Sequence, residues 1–261
     1  MPQSSKPIVV GARPSGAQDR ESASRAVRQM FTSIAPRYDL LNHLLSLNID
    51  RTWWWRAART FRHILARDDA RVLDICCGTG DMAFALLRRA GRSRARIYGA
   101  DFSSAMLLRA KAKSARQKAA PAGWMEADAL QLPLPSAHLD LVTSAFGFRN
   151  LADYDAGLRE IHRVLRPEGE VGILDFSVPR GPLGRAYRVY FHRVLPRIGR
   201  AISGISGAYD HYLPTSVERF PAPQAMLQRM RAAGFTHVSW TPYTFGIAGL
   251  YRGKKGKTPA N

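Results

Sequence analysis

Apolar positions along the chain change their period near residue 70. From 25 to 66 they recur every three or four residues in RAVRQMFTSIA, LLNHLLSL and DRTWWWRAARTFRHILA, which predicts three helices, the last with Asp50 as its N-cap. From Arg71 onward, short apolar runs alternate with helical stretches. VLDIC reads as a buried strand leading through CGTGD into the helix MAFALLRRA. RIYGAD is a second strand, followed by a helix from about Ser104 to Lys118 capped by Ser103. Then come a short strand in WMEAD, the strand LDLVTSAF, the helix ADYDAGLREIHRVL stopped by Arg166, Pro167, Glu168 and Gly169, and the strand EVGILDFS. Strands alternating with helices imply a mostly parallel sheet with helices on both faces.

After Ser177 the alternation stops, and PRGPLGRAYRVYFHRVLPRIGRAISGIS inserts basic, helical sequence. The helix PAPQAMLQRMRAAG and the strands THVSWTPY and FGIAGLYR follow, which would close a seven-stranded Rossmann-like sheet with an antiparallel hairpin. The expected organisation is a flexible tail over residues 1–24, rich in Pro, Gly and Ser, and a helical cap over 25–70. One α/β domain then spans 71–252 with a basic insert at about 180–215, and a basic tail covers 253–261.

Charge changes this picture. Lys plus Arg number 39 against 20 Asp plus Glu, a net +19, which points to an anionic partner or membrane face. No stretch reaches the ~18 consecutive apolar residues of a membrane span, and the first thirty residues lack the apolar run of a secretory signal. A cytoplasmic protein is expected. Cys76 and Cys77 are adjacent, so bridging them would be severely strained, and none of the histidines has zinc-ligand spacing. Small buried side chains are the favoured reading of the pair, with no metal site.

The loop that holds them carries the chemistry. A strand running into Gly-x-Gly and then a helix lets backbone approach a ligand closely. From Asp74 through Gly78 and Gly80 to Asp81 the spacing is D-x-x-x-G-x-G-D, without the third glycine of the dinucleotide fingerprint or the GK[ST] of a P-loop. Two carboxylates disfavour a pyrophosphate and suit a cationic ligand, such as a sulfonium with an amino-acid tail. Asp101 ends the second strand, with Phe102 beside it, where a carboxylate can accept both hydroxyls of a ribose. Asp128, after the third strand, would sit beside an adenine amino group.

At these residues the chain resembles the ubiquinone/menaquinone biosynthesis C-methyltransferases, within the class I S-adenosylmethionine-dependent methyltransferase fold. VRQMFTSIAPRYDLLNHLLSLNIDRTWWW and FGFRNLADYDAGLREIHRVLRPEGEVGILDFSVP look like the family's two signatures, and FHRVLPRIG, YDHYLPTSVERFP, AGF and YRGKK match in order. The resemblance implies cofactor contacts from Thr79, Asp101, Asp128 and Ala129. Some members also use a serine just before FG; here Ala145 stands there, so that contact is absent or comes from Ser144 or backbone. The CCGTGD form of the turn resembles the menaquinone-type members and implies demethylmenaquinol as acceptor. Methylation of 2-methoxy-6-polyprenyl-1,4-benzoquinol in ubiquinone biosynthesis is the alternative.

Methylating a quinol carbon requires in-line placement, worth up to ~7 to 11 kcal/mol, and an electron-rich ring whose phenol is at least partly deprotonated. Arg149 and Asn150 follow the fourth strand at the substrate-binding rim of the sheet, and the resemblance assigns this pair to substrate and proton handling. Arg149 is expected to stabilise the quinolate, since a guanidinium is a poor base. Tyr38 and Asp39, with Tyr209, His211 and Tyr212, form the next layer, His211 being the one expected to be merely structural.

A polyprenyl quinol dissolves in membrane, so the enzyme is expected to associate peripherally with an anionic surface. Arg185, Arg188, Arg193 and Arg197, interleaved with Tyr187, Tyr190 and Phe191 between Arg180 and Arg200, are suited to that. The same segment is equally compatible with a packed lid helix. A homodimer is compatible with the sequence. An RNA-binding protein or RNA methyltransferase is the reading of a different class; it would show steep salt dependence, and the chain lacks RRM, zinc-finger and NPPY patterns.

Overall fold

The computed structural model describes residues 11–14, 16–39, 46, 48–179, 181, 184 and 208–257, leaving aside the side chains of 37 and 208–211. Of the basic insert at about 180–215, positions 181, 184 and 208–215 are described; Arg185, Arg188, Arg193 and Arg197, expected to meet the membrane, lie outside the described residues, as do the side chains of Tyr209 and His211.

The apolar runs become β1 (Arg71–Ile75), β2 (Arg96–Asp101), β3 (Gly123–Glu126), β4 (Leu139–Ala145), β5 (Leu165–Phe176), β6 (Phe235–Tyr243) and β7 (Ala248–Lys255). They form one sheet in the order β3-β2-β1-β4-β5-β7-β6. The first five are parallel, while β7 pairs antiparallel with both β5 and β6. β1 and β4 lie at its centre and are buried on both faces, which is why they read as unbroken apolar runs. Order reverses beside β1, so the carboxyl ends of β1, β2 and β4 open a crevice there.

Helices cover both faces. α1 (Arg20–Ile34) precedes α2 (Ile49–Thr60), the short α3 (Arg62–Leu65), α4 (Asp81–Ala90), α5 (Ser104–Ala115), α6 (Tyr154–Val164), α7 (Ala208–Arg219) and α8 (Pro223–Ala232). One face packs Leu158 and Ile161 of α6 and Met226 and Met230 of α8 against Leu73, Val142 and Ile173. The other packs Trp53, Ala57 and Phe61 with Met82 and Leu86 of α4 against Val72 and Leu141. A third layer joins Val27, Phe31 and Ile34 of α1 to Met106 of α5 and to Leu213 and Val217 of α7, roofing the crevice with the N-terminal helix.

Several local boundaries differ from expectation. α1 starts at Arg20, inside the supposed 1–24 tail, because Asp19 and Ser22 form a capping box in which Asp19 Oδ1 accepts from Ser22 N at 2.7 Å. Asn48, in left-handed backbone (φ 60°), takes the N-cap position of α2; Asp50 is the second residue of its first turn, buried, accepting from Arg51 N at 2.8 Å. Ser103 takes the expected N-cap position of α5, but without a side-chain cap bond, its hydroxyl pairing instead with Thr32 of α1 at 3.1 Å. Arg166 to Gly169 already belong to β5, and β7 continues through Lys255, so Gly253 to Lys255 pair in the sheet rather than fray.

Candidate active site

β1 ends at Ile75 and the chain turns sharply. Cys76, Gly78 and Gly80 all take positive φ (50°, 55° and 90°). At Gly80 a Cβ would lie 2.3 Å from the Trp124 ring, so the turn can press against β3 only as glycine. Cys77 N donates to Ala100 O at 3.0 Å, tying the loop to β2. Burial pushes both cysteine thiols well above their ordinary range, so they are neutral packing groups rather than nucleophiles.

Asp101 faces the loop from the end of β2. Its Oδ2 accepts from Gly78 N at 2.8 Å and its Oδ1 from Ser103 N at 2.9 Å. Burial pushes this carboxyl up to about 6, against the opposing pull of those two backbone donors, so it is mostly ionised at neutral pH. Asp128, held by Leu130 N at 2.9 Å, follows β3. Gly78, Asp101, Phe102, Asp128 and Ala129 line one cleft, about 670 Å³ of space partly open to solvent.

The opposite wall comes from β4. Phe146 (φ 58°) and Gly147 turn the chain back, and a Cβ on Gly147 would stand 2.4 Å from that of Cys76, so the two loops meet at the cleft floor. Asn150 lines the cleft and accepts from Tyr212 OH of α7 at 3.0 Å. Tyr38, following α1, lines it too, edge-on to Phe31. Sequence reasoning did not single out Phe146, whose left-handed backbone has no sequence signal.

Three expected residues take other places. Arg149 is 3% exposed and pairs with Asp175 of β5 at 2.9 Å; its Nη1 also donates to Phe146 O, and its guanidinium lies 5.2 Å from the Phe176 ring centre. It therefore stands behind the Phe146–Asn150 wall rather than among the residues lining the cleft, because a buried charge must meet its partner. Asp74 is fully buried. Thr143 Oγ1 donates to its Oδ1 at 2.7 Å while Oδ2 has no partner among the described residues, and burial pushes the group up to about 8. Neutral at pH 7, it contributes no negative charge toward a cationic ligand, contrary to expectation. The Thr79 hydroxyl, 1% exposed, donates to Asp39 Oδ1 at 2.5 Å and accepts from Lys113 Nζ at 2.8 Å.

Lys113 also meets Asp39 and Asp81, each at 2.9 Å. This cluster latches the segment after α1 onto the glycine loop. Nothing in the spacing of Lys113 announces it, since it reaches the site only because α5 packs against β2, β3 and α1. Ser144 is buried with its hydroxyl unpaired among the described residues and does not line the cleft.

A parallel sheet with an antiparallel end, a glycine turn after β1 and an acid closing β2 together define the S-adenosylmethionine-dependent methyltransferase fold. A SAM-dependent methyltransferase from Thermotoga maritima has this fold at 18% identity, covering 88% of this chain and 99% of that one with a TM-score of 0.59. The chain belongs to the ubiE/COQ5 methyltransferase family, whose sequence model matches residues 18–255. A demethylmenaquinone methyltransferase from Deinococcus radiodurans is 49% identical over 238 residues, 91% of this chain and 95% of that one. A ubiquinone/menaquinone biosynthesis C-methyltransferase from Geobacter sulfurreducens is 44% identical, covering 88% of each. The protein is thus an S-adenosylmethionine-dependent methyltransferase.

Proposed function

We propose that this enzyme methylates a ring carbon of demethylmenaquinol to give menaquinol. The observation that carries the reading is one cleft that joins the cofactor loop, through Gly78, Asp101 and Asp128, to an apolar wall of Phe31, Tyr38, Phe146 and Leu151 that also carries the amide of Asn150. The relatives' names supply the acceptor class, and the Geobacter name keeps the ubiquinone precursor as the second substrate to be tested.

The residues present fit S-adenosylmethionine. Asp101 is ionised near neutrality and borders the cleft, as an acceptor of ribose hydroxyls must be, and Asp128 and Ala129 with Phe102 offer an edge and an apolar wall for adenine. Gly78 keeps the cleft side of the loop free of a side chain where the amino-acid tail would run, while Gly80 lets the loop lie against Trp124 and Thr79 fixes it from behind. When bound, the cofactor supplies an electrophilic methyl group on a sulfonium. Tyr38 and Asn150 orient the quinol ring and its oxygens. Tyr209, three residues before Tyr212 in α7, is assigned to the same group. Arg149 and Asp39 act as positioning residues: Arg149 holds the Phe146–Asn150 turn, and Asp39 holds the N-terminal segment on the loop through Thr79 and Lys113. Asp74 supports the loop from inside the sheet as a neutral acid.

Among the described residues, no helix is long and apolar enough to cross a membrane. Peripheral association with an anionic membrane, cytoplasmic placement and a homodimer belong to the same proposal. Transfer of a labelled methyl group to demethylmenaquinol under reducing conditions, with lipid present, tests it against 2-methoxy-6-polyprenyl-1,4-benzoquinol in parallel. Turnover of the naphthoquinol is the expected result; turnover of the benzoquinol alone would reassign the substrate.

A further inference from the structure

A second surface adjoins this chamber and takes no part in the chemistry. β6 and β7 are joined by a turn in which Thr244, Phe245 and Gly246 all adopt positive φ (44°, 56° and 88°). A β-branched threonine and a phenylalanine in left-handed backbone are strained, and such strain persists only where the surroundings hold it. Here Trp53 Nε1 of α2 donates to Thr244 Oγ1 at 2.8 Å, and Arg56 stacks on Tyr243 with its guanidinium 4.2 Å from the ring centre. The turn is pinned from below, and Phe245 is left 85% exposed at its tip.

The surroundings match an anionic apolar partner. Ile49, 37% exposed, lies on the same side of α2 as Trp53 and Arg56, and Trp55 is 54% exposed. Arg51, Arg56, Arg59 and Arg62 are all exposed, and the chain holds no Asp or Glu between Arg51 and Arg67 or anywhere after Glu218. Inward, Trp53 touches Phe146 and Phe176, with ring centres 5.6 and 6.0 Å apart, and Phe146 lines the cleft. Three contacting aromatic rings thus connect Trp53, which anchors the turn through Thr244, to the reaction chamber.

We infer that the Thr244–Gly246 turn and the exposed face of α2 dock on an anionic lipid bilayer, with Phe245 entering the acyl boundary, the arginines meeting lipid phosphates and the Trp53–Phe146–Phe176 cluster receiving the apolar tail of the acceptor. Apolar insertion beside basic side chains is what interfacial binding requires. This inference rests on the proposed lipid acceptor and places the bilayer contact at residues other than Arg180 to Arg200.

Sedimentation with vesicles of equal parts phosphatidylglycerol and phosphatidylcholine tests it, with pure phosphatidylcholine as control. Wild type should partition onto the anionic vesicles and release with salt. Phe245→Ser should weaken partitioning about tenfold and Arg51→Gln about fivefold, while Phe245→Trp retains it. Phe245 is exposed, so the variants should melt as wild type does and should methylate a water-soluble short-chain quinol at wild-type rate. Equal vesicle binding by wild type and Phe245→Ser overturns the inference, as does a concentration-dependent dimer of wild type abolished by Phe245→Ser, which would assign the turn to a second copy of the chain. Vesicle binding without methyl transfer to any naphthoquinol would remove the acceptor assignment and leave the docking surface standing. Transfer without Phe245-dependent binding would do the reverse.

Discussion

Asp101 sits where burial and function pull in opposite directions. Burial raises its pKa to about 6, yet the proposed contact with ribose hydroxyls calls for the carboxylate. Cofactor affinity should therefore climb as pH rises through about 6 and level off near neutrality, and Asp101→Asn should bind at least about tenfold more weakly with no such dependence. Calorimetric titration across this range measures both, and a flat wild-type profile would remove the ribose assignment. Asp74 gives a stability signature instead. Its folded pKa of about 8 lies above the ordinary 3.8, so the stability it lends is complete below about 4, declines above that and is lost beyond about 8. Asp74→Asn keeps a neutral acceptor for Thr143, so its advantage in Tm over wild type should widen with rising pH. For Arg149, removal strands the buried Asp175 carboxylate, and Arg149→Ala should cost about 3 to 5 kcal/mol. Arg149→Met combined with Asp175→Asn should recover most of that stability and part of the activity. Stability restored with activity still absent would mean that Arg149 acts on the substrate directly.

At the scale of elements, what positions the site is the pair of turns ending β1 and β4. Gly147→Ala would drive a methyl group into Cys76, so the turns must separate; turnover should fall at least about tenfold, while Gly123→Ala, whose Cβ would make ordinary contact with Tyr98, should leave it unchanged. The strands and helices were legible because their periods are long and regular. Helix ends were less so: Asp19 and Asp50 are both acids beside an apolar-periodic segment, and only the backbone conformation at Asp19 and Asn48 distinguishes the cap from a first-turn residue.

Across the whole molecule, α1 and α7 close over the cleft through a layer separate from the sheet's two main packing faces. Val27→Ala in that layer should cost about 2 kcal/mol of stability and also weaken cofactor binding. Met230→Ala, on the sheet-facing side of α8, should cost a similar amount and leave binding unchanged. Thermal unfolding and titration of both variants check this, and equal effects on binding would mean that α1 is not part of the site.

By itself the sequence determined the alternation of strands and helices, the glycine turn with its acids at Asp101 and Asp128, and the family signatures, because each is written in local period, residue type and spacing. Tertiary structure alone decided which of the marked residues reach the cleft. The same signature places Asn150 in the chamber and Arg149 behind it, since a buried guanidinium is held by Asp175 from another strand. Lys113 joins Thr79 only through the packing of α5, and Asp74 becomes neutral only because the sheet closes around it. Charge state and reach depend on what surrounds a side chain, and those surroundings come from distant parts of the chain.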